Sequence, residues 1–138
     1  MKWKLIIPLS GFGLAMGIAA VLGFTKGIEG VLWLIIGIFC TVWIAKKVPA
    51  NHFLHGFVVG LIGGALAPLV EGIFFSRYVS HYPEFNDPGY QIPGGLEPRT
   101  FVFALAPISG LISGVVLGLL SWAADKLLNK TASTVSPR

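Results

Sequence analysis

Residues 53–75 read "FLHGFVVGLIGGALAPLVEGIFF", a stretch of 23 residues with a single charged side chain, Glu71. A run of that length and polarity is long enough to cross the ~30 Å hydrocarbon core of a bilayer as a helix. Three more runs read the same way, at residues 5–24, 28–45 and 101–124. Charged residues make up only 12% of the 138-residue chain and apolar ones 54%. Soluble domains carry roughly 25% charged residues, so an ordinary soluble fold is excluded. The expectation is an all-α, four-helix transmembrane bundle forming a single domain over residues 1–126, with the lipid bilayer as its first partner. A loop or cap at residues 76–100 and a disordered tail at 127–138 complete it.

The net charge of +4 flanks the spans instead of covering a surface. One set of flanks carries Lys2, Lys4, Lys46, Lys47, Lys126, Lys130 and Arg138, the other Lys26, Arg77 and Arg99. The positive-inside rule then places both termini in the cytoplasm and the 76–100 loop outside. The basic balance is thus a topology signal, and no nucleic-acid partner is expected. The first run exceeds the 7–15 residues of a signal-peptide core and lacks a small-x-small cleavage site, so it counts as a span. Cys40 is the only cysteine, which leaves no disulfide and no Cys-x-x-Cys redox pair. Trp3, Trp43 and Trp122 fall at inner span ends and Trp33 near an outer one, as interfacial belts require.

Spans one and two, and two and three, are joined by short connections and are expected to be antiparallel neighbours. The uncharged core of span two, residues 30–45, is only ~24 Å long at 1.5 Å per residue and short for a bilayer. Beyond span three the helix is expected to continue to Tyr82, with Phe74, Tyr78 and Tyr82 on one face, and to stop at Pro83. Pro83, Pro88, Pro93 and Pro98 then recur every five residues in a folded cap.

The strongest pattern is small residues at four-residue spacing. Span three carries Gly56, Gly60, Gly64, Pro68 and Gly72, and span four carries Ala106, Gly110, Gly114 and Gly118. Rows of this kind let helix backbones approach closely in lipid. They predict a close antiparallel contact between spans three and four. Span one has the shorter pair Gly13–Gly17. "ALAP" occurs in both long rows, and Pro68 and Pro107 are expected to kink their helices at similar depth.

Four sets of side chains are candidates for chemistry. Glu71 is the only acid within a span, where insertion scales put a charge at roughly 2.5–3.5 kcal/mol at mid-membrane. Its own helix offers no cation at i+3 or i+4, so Arg99, Lys26 or water would have to answer it. Two readings follow: a proton- or cation-linked site, with Arg99, Tyr78 and His81 as companions, or a structural ion pair tying the loop to the bundle. His52 and His55 share a helical face, but two histidines fall short of a zinc site, and no metal or other cofactor is expected. Ser109, Ser113 and Ser121 lie on one side of span four with no base at their depth, so no catalytic set is found. The loop residues Tyr82, Glu84, Asp87, Tyr90 and Glu97 read as a solvated, aromatic-rich cap that could meet a cation, a headgroup or a protein.

The segment "NHFLHGFVVGLIGGALAPLVEGIFFSRYVSHYPEF", followed by a loop and a Gly/Ser-rich last span, resembles a family of bacterial four-span proteins of unknown function over residues ~45–124. The resemblance implies a multi-pass protein of the inner (cytoplasmic) membrane and gives no activity. Small multidrug exporters also have four spans, but their glutamate lies in the first, which has no acid here. The expected function is non-enzymatic, through helix–helix association as a homo-oligomer or as an accessory subunit of another membrane protein. A small transporter or channel using Glu71 is the alternative.

Overall fold

The computed structural model describes the backbone of residues 1–135 and the side chains of all but Asn86 and residues 131–135. Within these residues every regular element is helical, without strands. Helices α1 (Trp3–Val21), α2 (Glu29–Lys47), α3 (His52–Ile73), α4 (Phe75–His81) and α5 (Pro98–Val135) follow in order, with short 3-10 turns at Pro83–Asn86 and Pro93–Gly95. Four of them, α1, α2, α3 and α5, are long and apolar enough to cross a membrane. One end of the bundle gathers Lys2, the 48–51 connection and Asp125, and is called the terminal end below. The opposite end carries residues 22–28 and 74–97, and is called the loop end.

The α3–α5 seam is the most extensive helix contact among the described residues. A Cβ added to Gly56 would lie 2.5 Å from the Leu117 carbonyl oxygen, and one on Gly110 2.6 Å from that of Leu61. A Cβ on Gly60 would fall on the Ser113 carbonyl, and one on Gly64 would lie 2.6 Å from the Ser113 hydroxyl. No side chain fits at such positions, so the backbones touch because the glycines leave room. Residues 56, 60 and 64 face 121–117, 113 and 113–109, which is the antiparallel register that the two rows predict.

A second close contact was not read from the sequence. A Cβ on Gly13 would fall on the Gly63 backbone, and one on Gly17 would lie 2.9 Å from the Val70 Cβ. Helix α3 therefore presents one small-residue face to α5 and another to α1, which makes it the centre of the bundle.

Three expectations need correction. First, the 52–82 segment is not one helix: α3 stops at Ile73, Phe74 leaves helical geometry at φ −99° and ψ 37°, and α4 starts anew. The break turns Tyr78 and Tyr82 inward onto Ala20, Val21, Val70 and Val102, while Phe74 stays exposed, so the three aromatics do not share a face. Pro83 does start the 3-10 turn that follows α4. Second, the backbone is helical through residues 127–135, where a disordered tail was expected. Leu127, Leu128 and Lys130 are good helix formers, and no proline intervenes before Pro137. Residues 136–138 lie outside the described residues. Third, α2 approaches α5 more closely than α1 or α3. A short connection fixes the direction of a helix, whereas close approach needs small residues facing each other, and α2 presents Ile36, Cys40 and Ile44 inward.

Because α2 leans on α5 and on long side chains such as Phe12, whose ring meets Phe39 edge-on at 5.7 Å, it stands away from α1 and α3. Between α2 and the groove formed by α1, α3 and α5 lies an apolar cavity of about 350 Å³. Its walls run from Gly30 to Cys40 on α2, and its floor is Gly60, Gly63 and Gly64 of α3.

Candidate functional site

Glu71 sits in the last turns of α3 at the loop end and is 8% exposed. Gly60, Gly64 and Glu71 are spaced by four and seven residues and so lie on one helical face. The glutamate therefore stands outward of the cavity floor, about 10 Å beyond Gly64 at 1.5 Å per residue. Among the described residues, no hydrogen bond or ion pair reaches its carboxylate.

The two cations nominated from the sequence are engaged elsewhere. Arg99 donates from Nε to the Gly72 carbonyl at 3.0 Å and rests over the Phe103 ring at 5.8 Å. The end of α3 at Ile73 explains this, because the last carbonyls of a helix lack intrahelical donors and attract basic side chains. Lys26 donates to the His81 carbonyl at 2.9 Å and lies 5.8 Å from the centre of the Tyr82 ring. What does come near Glu71 is a second acid: Glu29, at the start of α2, is close enough for its charge to bear on it.

Tyr78 completes this group. Burial, followed by the charges of Glu71 and Glu29, pushes its phenol well above the ordinary range. Tyr78 stacks on Tyr82 with ring centres 4.7 Å apart, and the row continues through Phe85 to Tyr90. Tyr82 in turn shares a 3.1 Å hydrogen bond with the fully buried Thr25 hydroxyl. These contacts fix α4 over the 22–28 connection. His81 takes part through its ring, which occupies the space a side chain at Gly23 would need; Gly23 has φ +80°, a conformation open to glycine. Of the four residues nominated, Tyr78 therefore joins Glu71, whereas Arg99 and His81 hold the frame around it. Glu29 was missed because it lies 42 positions away in sequence, on a different span.

At the terminal end the histidines are structural ties. His55 accepts from the Lys2 backbone N–H at Nε2 (3.1 Å) and faces the Asn51 carbonyl at 2.9 Å. His52 meets the Val48 carbonyl at 2.7 Å and Asp125 Oδ2 at 3.3 Å. The sequence offered no inner acid near these histidines, and α5 brings one from 73 positions away. Among the described residues, no three His, Cys, Asp or Glu side chains gather into a metal-binding set. Ser113 and Ser121 fill the hollows left by Gly64 and Gly56. The Ser10, Thr41 and Ser121 hydroxyls are buried without a hydrogen-bond partner among the described residues.

Comparison with protein-family models, with curated proteins and with solved structures gives no match.

Proposed function

We propose that this chain is a small, non-enzymatic, multi-pass protein of the bacterial inner membrane, both termini cytoplasmic, that takes up a proton or a small cation at Glu71 from the side of the proline-rich loop. The observation that carries this reading is the surplus of negative charge around Glu71. Its carboxylate is nine-tenths buried, has a second carboxylate in electrostatic reach, and has among the described residues no ion pair of the kind a structural role requires. A charge in that setting is stabilised by a proton or by a mobile cation, since burying it alone costs several kcal/mol.

The other expectation, association with a second copy or with another membrane protein, drew its support from the glycine rows. Those rows are occupied by contacts within the chain, so they no longer favour it.

The test is ion or proton flux into proteoliposomes holding the full chain. Wild type should support flux driven by a pH gradient. Glu71→Gln, which keeps the shape and removes the charge, should abolish it while the protein stays folded by circular dichroism. Equal flux in both proteins, or none in wild type, overturns the reading.

A further inference from the structure

Toward the terminal end, the glycines of the α3–α5 seam stop at Gly56 on α3 and Gly118 on α5. Gly56 lies against Leu117 and Ser121. One turn further, four residues before Gly56 and four after Ser121, stand His52 and Asp125. The pair is the next rung of the seam, made by side chains where the rungs above it are backbone contacts. His52 is 7% exposed, and both of its ring nitrogens face oxygen: Nε2 the Val48 carbonyl at 2.7 Å, Nδ1 the Asp125 carboxylate at 3.3 Å. A carbonyl only accepts, so Nε2 carries a hydrogen. An ionised carboxylate only accepts as well, so Nδ1 meets Asp125 favourably only if a second proton lies between them. Without it, two lone pairs would face each other in a buried setting, which is costly.

His55, three residues along the same helix, requires the opposite. Its Nδ1 faces the Asn51 carbonyl and must donate, while its Nε2 accepts from the Lys2 backbone N–H. One proton satisfies both contacts, and a second would set N–H against N–H. The other charged groups at this end are basic: the Met1 amino group, Lys2 and Lys4 from α1 and its start, Lys46 and Lys47 from α2, and Lys126 and Lys130 from α5. They disfavour a cation at His52, so Asp125, the only acid among the described residues at this end, decides its charge. The Lys2 ammonium donates to the Lys47 carbonyl, those of Lys47 and Lys126 lie over the Trp43 and Trp122 rings, and the Asn129 amide donates to Asp125 Oδ1. Oδ2 is left to His52. We infer that His52 and Asp125 form a proton-binding site, in which one proton held on Nδ1 makes His52 an imidazolium and fastens α5 to the start of α3. Imidazole is the stronger base of the two, which puts the proton on the ring. The turn after Asp125 exposes Leu127 and Leu128, and loss of the proton loosens that turn first. The site lies at the opposite end of the bundle from Glu71 and does not rest on the reading of that residue.

Nitrogen-15 NMR of the full-length protein in detergent micelles tests this, with labelled histidine and the rings assigned through His52→Gln, His55→Gln and His81→Gln. Histidines change charge between about pH 5 and 8. Within that range there should be an interval in which both His52 nitrogens are protonated while His55 carries a single proton, on Nδ1. Asp125→Asn, whose amide can donate to Nδ1 in place, should leave His52 neutral over the same interval. Hydrogen exchange gives a second readout. After correction for the intrinsic pH dependence of exchange, residues 122–130 should open up to about fivefold more often once His52 has lost its proton. No such step should occur in Asp125→Asn, or at Gly56, Gly60 and Gly64 in wild type. A His52 ring that carries one proton wherever His55 does, or a His52 charge unchanged by Asp125→Asn, overturns the inference. So does exchange at 122–130 that ignores the loss of the proton, or a step that survives Asp125→Asn. Should Asp125→Asn fail to fold, the wild-type spectrum alone still decides the proton count.

Discussion

Gly60 and Gly37 are both glycines near the middle of apolar spans, and in the sequence they look alike. In the structure they do opposite things. A methyl group on Gly60 would fall on the Ser113 carbonyl, whereas a methyl on Gly37 would touch one leucine carbon at 3.9 Å. The first glycine lets two backbones meet, and the second leaves a cavity open. The bundle is thus two regions: a rigid core of α1, α3 and α5 built on backbone contact, and a loosely held α2 resting on side chains. In lipid, where packing and not the hydrophobic effect drives helix association, that difference separates a seam closed by backbone contact from one that leaves a cavity.

The sharpest way to break the comparison is Gly60→Ala. If the seam is as close as described, one methyl group forces the α3 and α5 backbones apart, and overpacking of this kind costs roughly 3 kcal/mol. Thermal unfolding in detergent should show a large fall in midpoint. A change of less than a few tenths of a kcal/mol would mean that the two helices do not touch there.

The loop end yields a middle-sized effect. Tyr82→Phe removes the hydroxyl that pairs with the fully buried Thr25. It leaves one buried polar group without a partner, at a cost of about 1–2 kcal/mol. Its second consequence is local: hydrogen exchange should speed up in residues 22–28 and 75–81 and stay unchanged in the α3–α5 seam. Equal loosening at both places would show that the loop end and the core are one cooperative unit.

The seam was legible from the sequence because its signal is periodic. Gly56, Gly60 and Gly64 recur at the helical repeat, and Gly110, Gly114 and Gly118 answer them. The placement of α2 was not, since Gly30 and Gly37 have a helical spacing too and nothing in the chain says that their face stays empty. The break at Phe74 carries no proline or glycine of its own; it follows from burying Tyr78 and Tyr82 against Ala20 and Val21, which lie more than 50 positions away. Glu71 was legible as an anomaly, but its surroundings were not. The side chains expected to neutralise it, Arg99 and Lys26, are drawn to backbone carbonyls exposed where α3 and α4 end, a demand that appears only once those ends are known. His52 and Asp125 show the same limit: they lie 73 positions apart, and only the antiparallel return of α5 beside α3 brings them to 3.3 Å.

The smallest expected effect is also the most discriminating, because its sign is opposite to that at Gly60. Gly37→Ala adds a methyl to α2 at a site with room for it. Alanine lowers the conformational freedom of the unfolded chain and favours the helix, so the substitution should stabilise the protein by up to about 1 kcal/mol. A single methyl leaves most of the 350 Å³ unfilled. Paired melts of Gly37→Ala and Gly60→Ala therefore read the spacing of two helix contacts with one chemical change. Should Gly37→Ala destabilise instead, α2 would have to sit against α3 as tightly as α5 does, and the cavity beside it would be closed.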